Sequence, residues 1–325
     1  MLLSVEKVTE KIKAGKTLYL AGDEKLLKAL PKGKWIGGTI PYFMDDYGGK
    51  STSAEIFVTE QPDYVSGCTI KMYQAEELEN IPEDSVENGF TVLIIPALSE
   101  VHIKYANEAP EYEKIYDRQI IGWISGVDLK DLGKVTPKVI NGETGEITDK
   151  KAVALHAELP KEMYATIGII NIFKQGNGDT IIFDKEGFSV TDCYIKGKKQ
   201  NFCDYLLDKK ADLKNPLVAD YLGALVNVSF QSIDEKNKTV NFYAPVFKGT
   251  EYKLAAPIEN YVTKFDESIP KGLDRIVFSC NCILNYLYGE LEGKKTGNIT
   301  GPITFGEIAH QLLNQTLVYL NIHNQ

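Results

Sequence analysis

The segment with the most reactive side chains in this sequence is FSCNCILNYLYG, residues 278–289, in which Cys280 and Cys282 flank Asn281. An apolar run precedes it, so we predict a strand, on which residues two apart point to the same side. Two thiols are too few for a closed zinc site, and a disulfide between them would be strained. Three interpretations stay open: the thiols pack at a strand end, line a ligand pocket, or do catalytic or redox work.

Two further segments place polar groups in apolar surroundings. In WIGGTIP, residues 35–41, Gly37 and Gly38 precede Thr39. These glycines either permit a bulge or let backbone N–H groups approach a small ligand, because glycine lacks a Cβ. In GPITFGEIAHQLLNQT, residues 301–316, Glu307 is either a solvated charge or a partner for an amine, and Asn314 would supply hydrogen bonds.

Sequence motifs of established enzyme classes are missing: there is no Walker loop, His-Glu-x-x-His, Gly-x-Ser-x-Gly or Cys-x-x-Cys pair. No two histidines have metal-ligand spacing, and His156 in the apolar AVALHAELP is typical of a core residue. We therefore expect no bound metal and no enzyme activity. A hydrolase or thiol-dependent enzyme that uses Cys280 or Cys68 is the alternative hypothesis.

Composition favours a globular protein of about two domains, since 325 residues include 43% apolar and 25% charged ones. The net charge of −9 disfavours nucleic acid as a partner. No apolar run approaches the ~20 residues that cross a bilayer, and the amino terminus lacks the apolar core of a signal peptide. The five cysteines do not have the spacing of a disulfide scaffold. We expect a cytoplasmic protein that binds no membrane.

Strand patterns outnumber helix patterns along the chain. Residues 3–14 predict an amphipathic helix, and GFTVLIIPAL, residues 89–98, predicts a strand buried on both faces. The helices between strands recur too irregularly for a doubly wound sheet. We predict an α+β fold of two subdomains with large mixed, mostly antiparallel β-sheets flanked by helices. A change of composition near residues 196–216 places the boundary between domains 1–195 and 196–325.

Three segments near the carboxyl terminus resemble the end of FIST-type sensory domains. They are FSCNC (278–282), ITFGEI (303–308) and LNQTLVYL (313–320), and WIGGTIP takes the place of a glycine-rich segment in the amino-terminal part of that family. The chain departs from the family at Leu313-Asn314, where His-Asn is common, and at Asn281-Cys282, where an arginine commonly follows.

The resemblance implies a FIST N-like domain over 1–195 and a FIST C-like domain over 196–325. It implies a sensory protein, not an enzyme, that binds an amino acid or similar polar metabolite in a cleft between the halves. Glu307 would meet a positive group of the ligand. Thr39 belongs to the same site, where Asn314 and the Gly37–Gly38 backbone would orient the ligand and Cys280, Asn281 and Cys282 would line the wall.

The resemblance also bears on cofactors and partners. We expect no cofactor, but some family members are associated with haem, so a haem-binding gas sensor that uses His156 or His310 is a further hypothesis. No signalling module is recognisable in the sequence. The expected partners are therefore a small polar metabolite and a separate signalling protein.

Overall fold

The protein is described here by a computed structural model covering residues 1–273 and 275–324. Strands form mixed sheets and short helices flank them, so the fold class is α+β, as the sequence predicts. The chain forms two compact units. The first comprises Met1–Ile170, Ile269–Leu312 and Leu317–Gln325, and the second comprises Asn171–Ser268 and Leu313–Thr316.

The helices are short throughout the described chain. The longest have nine residues, so none of the described helices is long enough to cross a membrane. The α-helices are α1 (Val5–Lys13), α2 (Glu24–Lys28), α3 (Ile81–Asp84), α4 (Glu100–Glu108), α5 (Phe202–Asp208), α6 (Tyr261–Ser268) and α7 (Ile283–Tyr288), and 3₁₀ turns span Ala75–Asn80, Ala109–Glu111 and Leu129–Asp131.

The strands are numbered in chain order. They are β1 (Leu2–Leu3), β2 (Leu18–Gly22), β3 (Trp35–Thr39), β4 (Tyr42–Asp45), β5 (Gly48–Ser51), β6 (Ile56–Glu60), β7 (Gly67–Tyr73), β8 (Gly89–Pro96), β9 (Ile120–Ser125), β10 (Val139–Asn141), β11 (Glu146–Thr148), β12 (Ala152–Glu158), β13 (Met163–Ile170), β14 (Ile181–Ile182), β15 (Gly187–Val190), β16 (Asp192–Ile195), β17 (Lys198–Asn201), β18 (Leu217–Tyr221), β19 (Ala224–Val228), β20 (Phe230–Asp234), β21 (Thr239–Val246), β22 (Glu251–Leu254), β23 (Ile276–Cys282), β24 (Gly301–Thr304), β25 (Glu307–Ala309), β26 (Gln311–Leu313) and β27 (Leu317–Asn324).

Three six-stranded sheets build the first unit. Their strand orders are β1-β6-β2-β3-β10-β11, β26-β25-β9-β8-β12-β7 and β13-β27-β23-β24-β4-β5. Most neighbours are antiparallel, but β2–β3, β8–β9 and β23–β24 are parallel. Each sheet therefore contains a parallel pair, and parallel pairs end together at one sheet edge.

The predicted helix at residues 3–14 is confirmed as α1. Ser4 accepts a hydrogen bond from the N–H of Lys7 and begins the helix. Val8 and Ile12 lie on one face, and both are buried in the core that includes Leu18 and Trp35. Burial of each of these two side chains stabilises the fold by roughly 1.5–3 kcal/mol.

The predicted buried strand at residues 89–98 is confirmed as β8, in which every residue is buried. Its parallel neighbour β9 is equally buried. Gly122 on β9 allows the two strands to approach, because a Cβ at this position would lie 1.7 Å from the carbonyl oxygen of Leu93. The pair β8–β9 is therefore a closely packed centre of its sheet.

The second unit has two antiparallel sheets, β17-β16-β14-β22-β18-β19 and β15-β21-β20. Its core is rich in aromatic rings, among them Phe183 and Phe202, whose centroids are 5.2 Å apart. The apolar spacing of residues 200–223 is typical of a helix that breaks before Pro216, and a helix forms only at α5. After Pro216 the chain forms β18, because β-branched and aromatic residues follow.

The predicted boundary at 195/196 falls inside the second unit. Ile195 ends β16 and Lys198 begins β17, so the boundary coincides with the tight turn of a hairpin. The charged KGKK at residues 196–199 produced the change of composition that the prediction used. Charge marks an exposed turn there, whereas the unit itself begins at Asn171.

Candidate functional site

The carboxyl ends of β3 and β9 meet in the first unit. The N–H of Gly126, which follows β9, donates to the carbonyl oxygen of Thr39, the last residue of β3, at 2.7 Å. The segment between β24 and β25 joins them, since the N–H of Phe305 donates to the carbonyl oxygen of Ile124 at 3.1 Å. Ligands of α/β sheets commonly bind outside such strand ends.

Four buried side chains, which we call the polar cluster, lie close to these ends: Cys280, Asn281, Thr304 and Glu307. The Thr304 hydroxyl lies 3.3 Å from the Asn281 carbonyl oxygen, and the Cys280 thiol donates to the carbonyl oxygen of Gly122 at 3.3 Å. Glu307 has 0% exposure and is paired with Trp123 across the sheet.

Within the polar cluster, Cys280 of β23 and Glu307 of β25 are close enough to interact electrostatically. Burial raises the pKa of the Cys280 thiol well above its ordinary range, and the nearby Glu307 carboxylate raises it further. The Thr304 hydroxyl lowers this pKa and the Cys282 thiol raises it, and the net effect is a strongly raised pKa. Residues 280 and 307, which are far apart in sequence, are thus brought together by β23 and β25. A protonated, buried thiol is a poor nucleophile.

This environment predicts slow alkylation of Cys280. In the folded protein at pH 8, iodoacetamide is expected to modify Cys280 at least ~10-fold more slowly than in the denatured protein, because each unit of raised pKa removes nine-tenths of the thiolate. The half-buried Cys68, whose sulfur lies 3.9 Å from the Thr17 hydroxyl, is the internal comparison. Peptide mapping by mass spectrometry measures both, and preferential labelling of Cys280 would favour the thiol-enzyme alternative.

Asn281 and Cys282 shape the turn from β23 into α7. The Asn281 side-chain oxygen accepts hydrogen bonds from the N–H of Cys282 at 2.8 Å and from the Asn285 amide at 3.0 Å. Cys282 is buried, and its Cα is paired with that of Thr304 in the parallel register. Both residues therefore fix the strand end on which Cys280 and the rest of the polar cluster depend.

Gly37 and Gly38 lie inside the sheet and form no bulge. Gly38 is paired with Ala21 on one side and Val139 on the other, so strands flank its backbone on both sides. A Cβ at Gly38 would lie 2.6 Å from the Trp123 ring. Gly38 therefore serves close packing between sheets, and the expectation that the N–H groups of Gly37 and Gly38 face a ligand is corrected.

Thr39 connects β3 to the segment that precedes β10. Its N–H donates to the carbonyl oxygen of Lys138 at 3.0 Å, and its hydroxyl accepts from the Lys138 N–H at 2.9 Å. These two bonds hold the backbone next to Pro137. Thr39 is thus a residue that positions residues 133–138.

Asn314 belongs to the second unit, whereas the other seven predicted site residues belong to the first. Its backbone oxygen accepts a hydrogen bond from the Asn227 amide at 3.1 Å, and Asn227 is also bonded to Asn171. Gln315, the next residue, accepts from the Ser229 hydroxyl at 2.7 Å. Asn314 is therefore part of a buried amide network within that unit.

A cavity of about 560 Å³ opens where β8 ends, and we call it the strand-end cavity. Ala97, one of its lining residues, donates its N–H to the Ser125 carbonyl oxygen at 3.2 Å, at the end of β9. The volume is in the range of small-molecule sites. The cavity is lined by Ala97, Leu98, Ser99, Glu100, Gly133, Lys134, Val135, Thr136, Pro137, Asp149 and Lys150.

The lining combines apolar surface with charges of both signs. Leu98 and Val135 are 63% and 45% exposed. Lys134, Lys150, Glu100 and Asp149 supply the charges, and within the described chain none of the four is in an ion pair.

Leu98 also has strained backbone, with φ of 62° in the left-handed region. For a residue with a side chain this conformation costs on the order of 1–2 kcal/mol, and such strain concentrates at functional positions. None of the predicted site residues lines the cavity. The sequence does contain a signal for the cavity. The region from GFTVLIIPALSE through IIGWISG has a strand, a helix and a parallel strand in that order, and the carboxyl ends of such parallel strands form a crevice.

His156 and His310, the haem candidates, both have engaged ring nitrogens. His156 is bonded through Nε2 to the Tyr73 hydroxyl and through Nδ1 to the Thr91 hydroxyl, both at 2.8 Å. His310 Nδ1 lies 3.1 Å from the Ile115 carbonyl oxygen. Iron ligation through His156 would break one of these buried bonds. The described residues contain no group of three or more His, Cys, Asp or Glu side chains arranged to hold a metal ion.

The fold is thus an α+β assembly of mixed sheets with a cavity at the end of a parallel strand pair. Residues 3–323 match the sequence profile of a family described as a family of unknown function, DUF6976. The match covers nearly the whole chain, and the chain belongs to this family. No curated protein matches the chain.

Proposed function

We propose that this chain is a small-ligand-binding protein of the FIST sensory type, and that it holds a polar metabolite such as an amino acid in the strand-end cavity. The observation that carries the proposal is the cavity itself, about 560 Å³ at the carboxyl end of β8. A closely packed parallel pair supplies a rigid floor, and the connecting segments supply side chains that recognise the ligand.

The charges of the lining favour a zwitterion. Lys134 and Lys150 would attract a carboxylate, while Glu100 and Asp149 would attract an ammonium group. Leu98 and Val135 offer apolar surface to a side chain of the ligand. Charges that are not in an ion pair remain available to a ligand that brings both signs.

In this proposal the polar cluster has a supporting role. Glu307 is fully buried, so the ligand's ammonium group meets Glu100 or Asp149 at the cavity, and not Glu307. Cys280 is bonded to Gly122 on β9, and Thr39 is bonded to Lys138 beside the lining residue Pro137. These residues fix the strand ends that carry the cavity.

The sensory part of the proposal is supported by the resemblance of β23, β25 and β27 to FIST segments. The output would pass to a separate signalling protein. The five cysteines form no disulfide with one another, which favours a reducing compartment such as the cytoplasm. We propose no nucleic acid and no membrane as partners, given the net charge of −9.

Calorimetric titration of the purified protein with each of the twenty amino acids tests the proposal. At least one is expected to release heat with a Kd between about 1 μM and 1 mM, which corresponds to roughly −8 to −4 kcal/mol. The double variant Lys134→Ala/Lys150→Ala is expected to weaken that binding, and Lys174→Ala, an exposed lysine of the second unit, is the matched control. No heat with any amino acid would contradict the proposed ligand class.

A further inference from the structure

A continuous row of hydrogen bonds crosses the sheet that contains β7, β12 and β8 and ends on an acceptor at each side. It begins at the Asp84 carboxylate, which is 32% exposed, passes through an imidazole that is 3% exposed, and ends at a carbonyl oxygen. The contacts are Asp84–Tyr73 at 2.9 Å, Tyr73–His156 at 2.8 Å, His156–Thr91 at 2.8 Å, Thr91–Ser85 at 2.9 Å and Ser85 to the carbonyl oxygen of Ile81 at 2.7 Å.

The first end of the row accepts and does not donate. Lys71 lies 2.5 Å from the Asp84 carboxylate. Burial raises the pKa of Asp84, but hydrogen bonds from Lys71 and Tyr73 outweigh it, so that the pKa is lowered and the carboxylate is ionised. The Tyr73 hydroxyl must therefore donate to Asp84, and its oxygen is left to accept from His156 Nε2.

The other end fixes the directions in the same way. The Ile81 carbonyl oxygen only accepts, so the Ser85 hydroxyl donates to it. The Thr91 hydroxyl then donates to Ser85, and its oxygen accepts from His156 Nδ1. Each hydroxyl has one hydrogen, and both of the outer acceptors direct these hydrogens away from the imidazole.

We propose that His156 is a doubly protonated imidazolium in the folded protein at neutral pH, and that its proton locks the segment Gln74–Ser85 onto strands β7, β8 and β12. Five contacts need five hydrogens. Tyr73, Thr91 and Ser85 supply three, so that the imidazole must supply two. A neutral ring supplies one, and one contact would then face two lone pairs within 2.9 Å.

The charges around the imidazole act in opposite directions. Burial lowers the pKa of His156, the Asp84 carboxylate raises it, and Lys71 lowers it. Together these effects lower the pKa of His156 to about 4 and so favour a neutral ring. The directions of the five hydrogen bonds require the charged ring instead, and we give them more weight because each is fixed by an acceptor that cannot donate. Among the described residues, β7 contributes Lys71 and Tyr73, α3 contributes Asp84, and β8 contributes only the neutral Thr91.

The proton would make the attachment of Gln74–Ser85 sensitive to pH. An imidazolium at neutral pH requires a folded-state pKa above the ordinary value of about 6.5, opposite to the lowering that burial causes. The contribution of such a group to stability is present below pH ~6.5 and is lost as pH rises through the folded-state pKa. The protein is then expected to lose stability on the alkaline side, in a step that requires both His156 and Asp84.

Nitrogen NMR of the full chain, labelled with ¹⁵N and ¹³C and assigned through bonds from the His156 backbone, tests this directly at pH 7. Two N–H signals from the His156 ring are expected. In Asp84→Asn one N–H signal should be lost, because the asparagine amide can donate to Tyr73 and free its hydrogen for Nε2. Glu83→Gln, a neighbouring carboxylate bonded to Lys114, is the matched control and should keep both signals.

A single N–H on the His156 ring of the wild-type protein at pH 7 would overturn the proposal, whatever the variants do. The wild-type measurement does not depend on any substitution folding. Two signals that persist unchanged in a folded Asp84→Asn would also overturn it, because the ionised carboxylate would then not be the acceptor that orients the row.

Discussion

Gly122→Ala is expected to destabilise the first unit by more than ~4 kcal/mol, at the extreme of single substitutions. The added Cβ would lie 1.7 Å from the Leu93 carbonyl oxygen and 2.9 Å from its nitrogen. These are backbone atoms of the neighbouring strand and cannot rotate away. Relief requires β8 and β9 to separate, which would disrupt the floor of the strand-end cavity.

Chemical denaturation measured by circular dichroism checks this prediction. Gly178→Ala is the matched control, because its Cβ would have no neighbour within 4 Å and the change should stay within about 0.5 kcal/mol. If Gly122→Ala unfolds at the same denaturant concentration as the control, then β8 and β9 are not packed as described.

Val135→Trp is expected to reduce the affinity for the amino acid ligand at least tenfold, or by ~1.4 kcal/mol or more. Val135 lines the strand-end cavity and is 45% exposed, so that a larger side chain can occupy the cavity without entering the core. The stability should be nearly unchanged, since the position is on the surface.

The control for this substitution lies on the same segment. Leu132 is 46% exposed and does not line the cavity, so Leu132→Trp adds the same bulk without filling it. Calorimetry with the best ligand should show binding in Leu132→Trp and its loss in Val135→Trp. Equal affinities in the two variants would indicate that the ligand binds at a site other than the strand-end cavity.

Local patterns of apolar residues predicted helices and strands correctly where a few adjacent residues determine the secondary structure. The apolar run at 89–98 became the fully buried β8, and the helical spacing at 3–14 became α1. Cys280 and Cys282 lie on the predicted strand, β23. In each of these segments, periodicity and burial follow from the sequence itself.

Long-range features were not predictable in the same way. The second unit begins at Asn171 after a strand of the first and includes residues 313–316, and no local signal marks such an insertion. Gly38 is a glycine because the Trp123 ring packs over it, and those residues are 85 positions apart (123 − 38). The cavity depends on residues 133–137, which have no periodic pattern, so only the folded chain brings them to β8.

The most direct test of the strand-end cavity is amide NMR of the labelled protein during titration with the amino acid panel. Saturable shifts are expected for at least one amino acid, and they should be largest at residues that line the cavity, such as Leu98, Ser99, Val135 and Lys150. Saturable shifts confined to other parts of the chain, or no shift with any amino acid, would contradict this expectation.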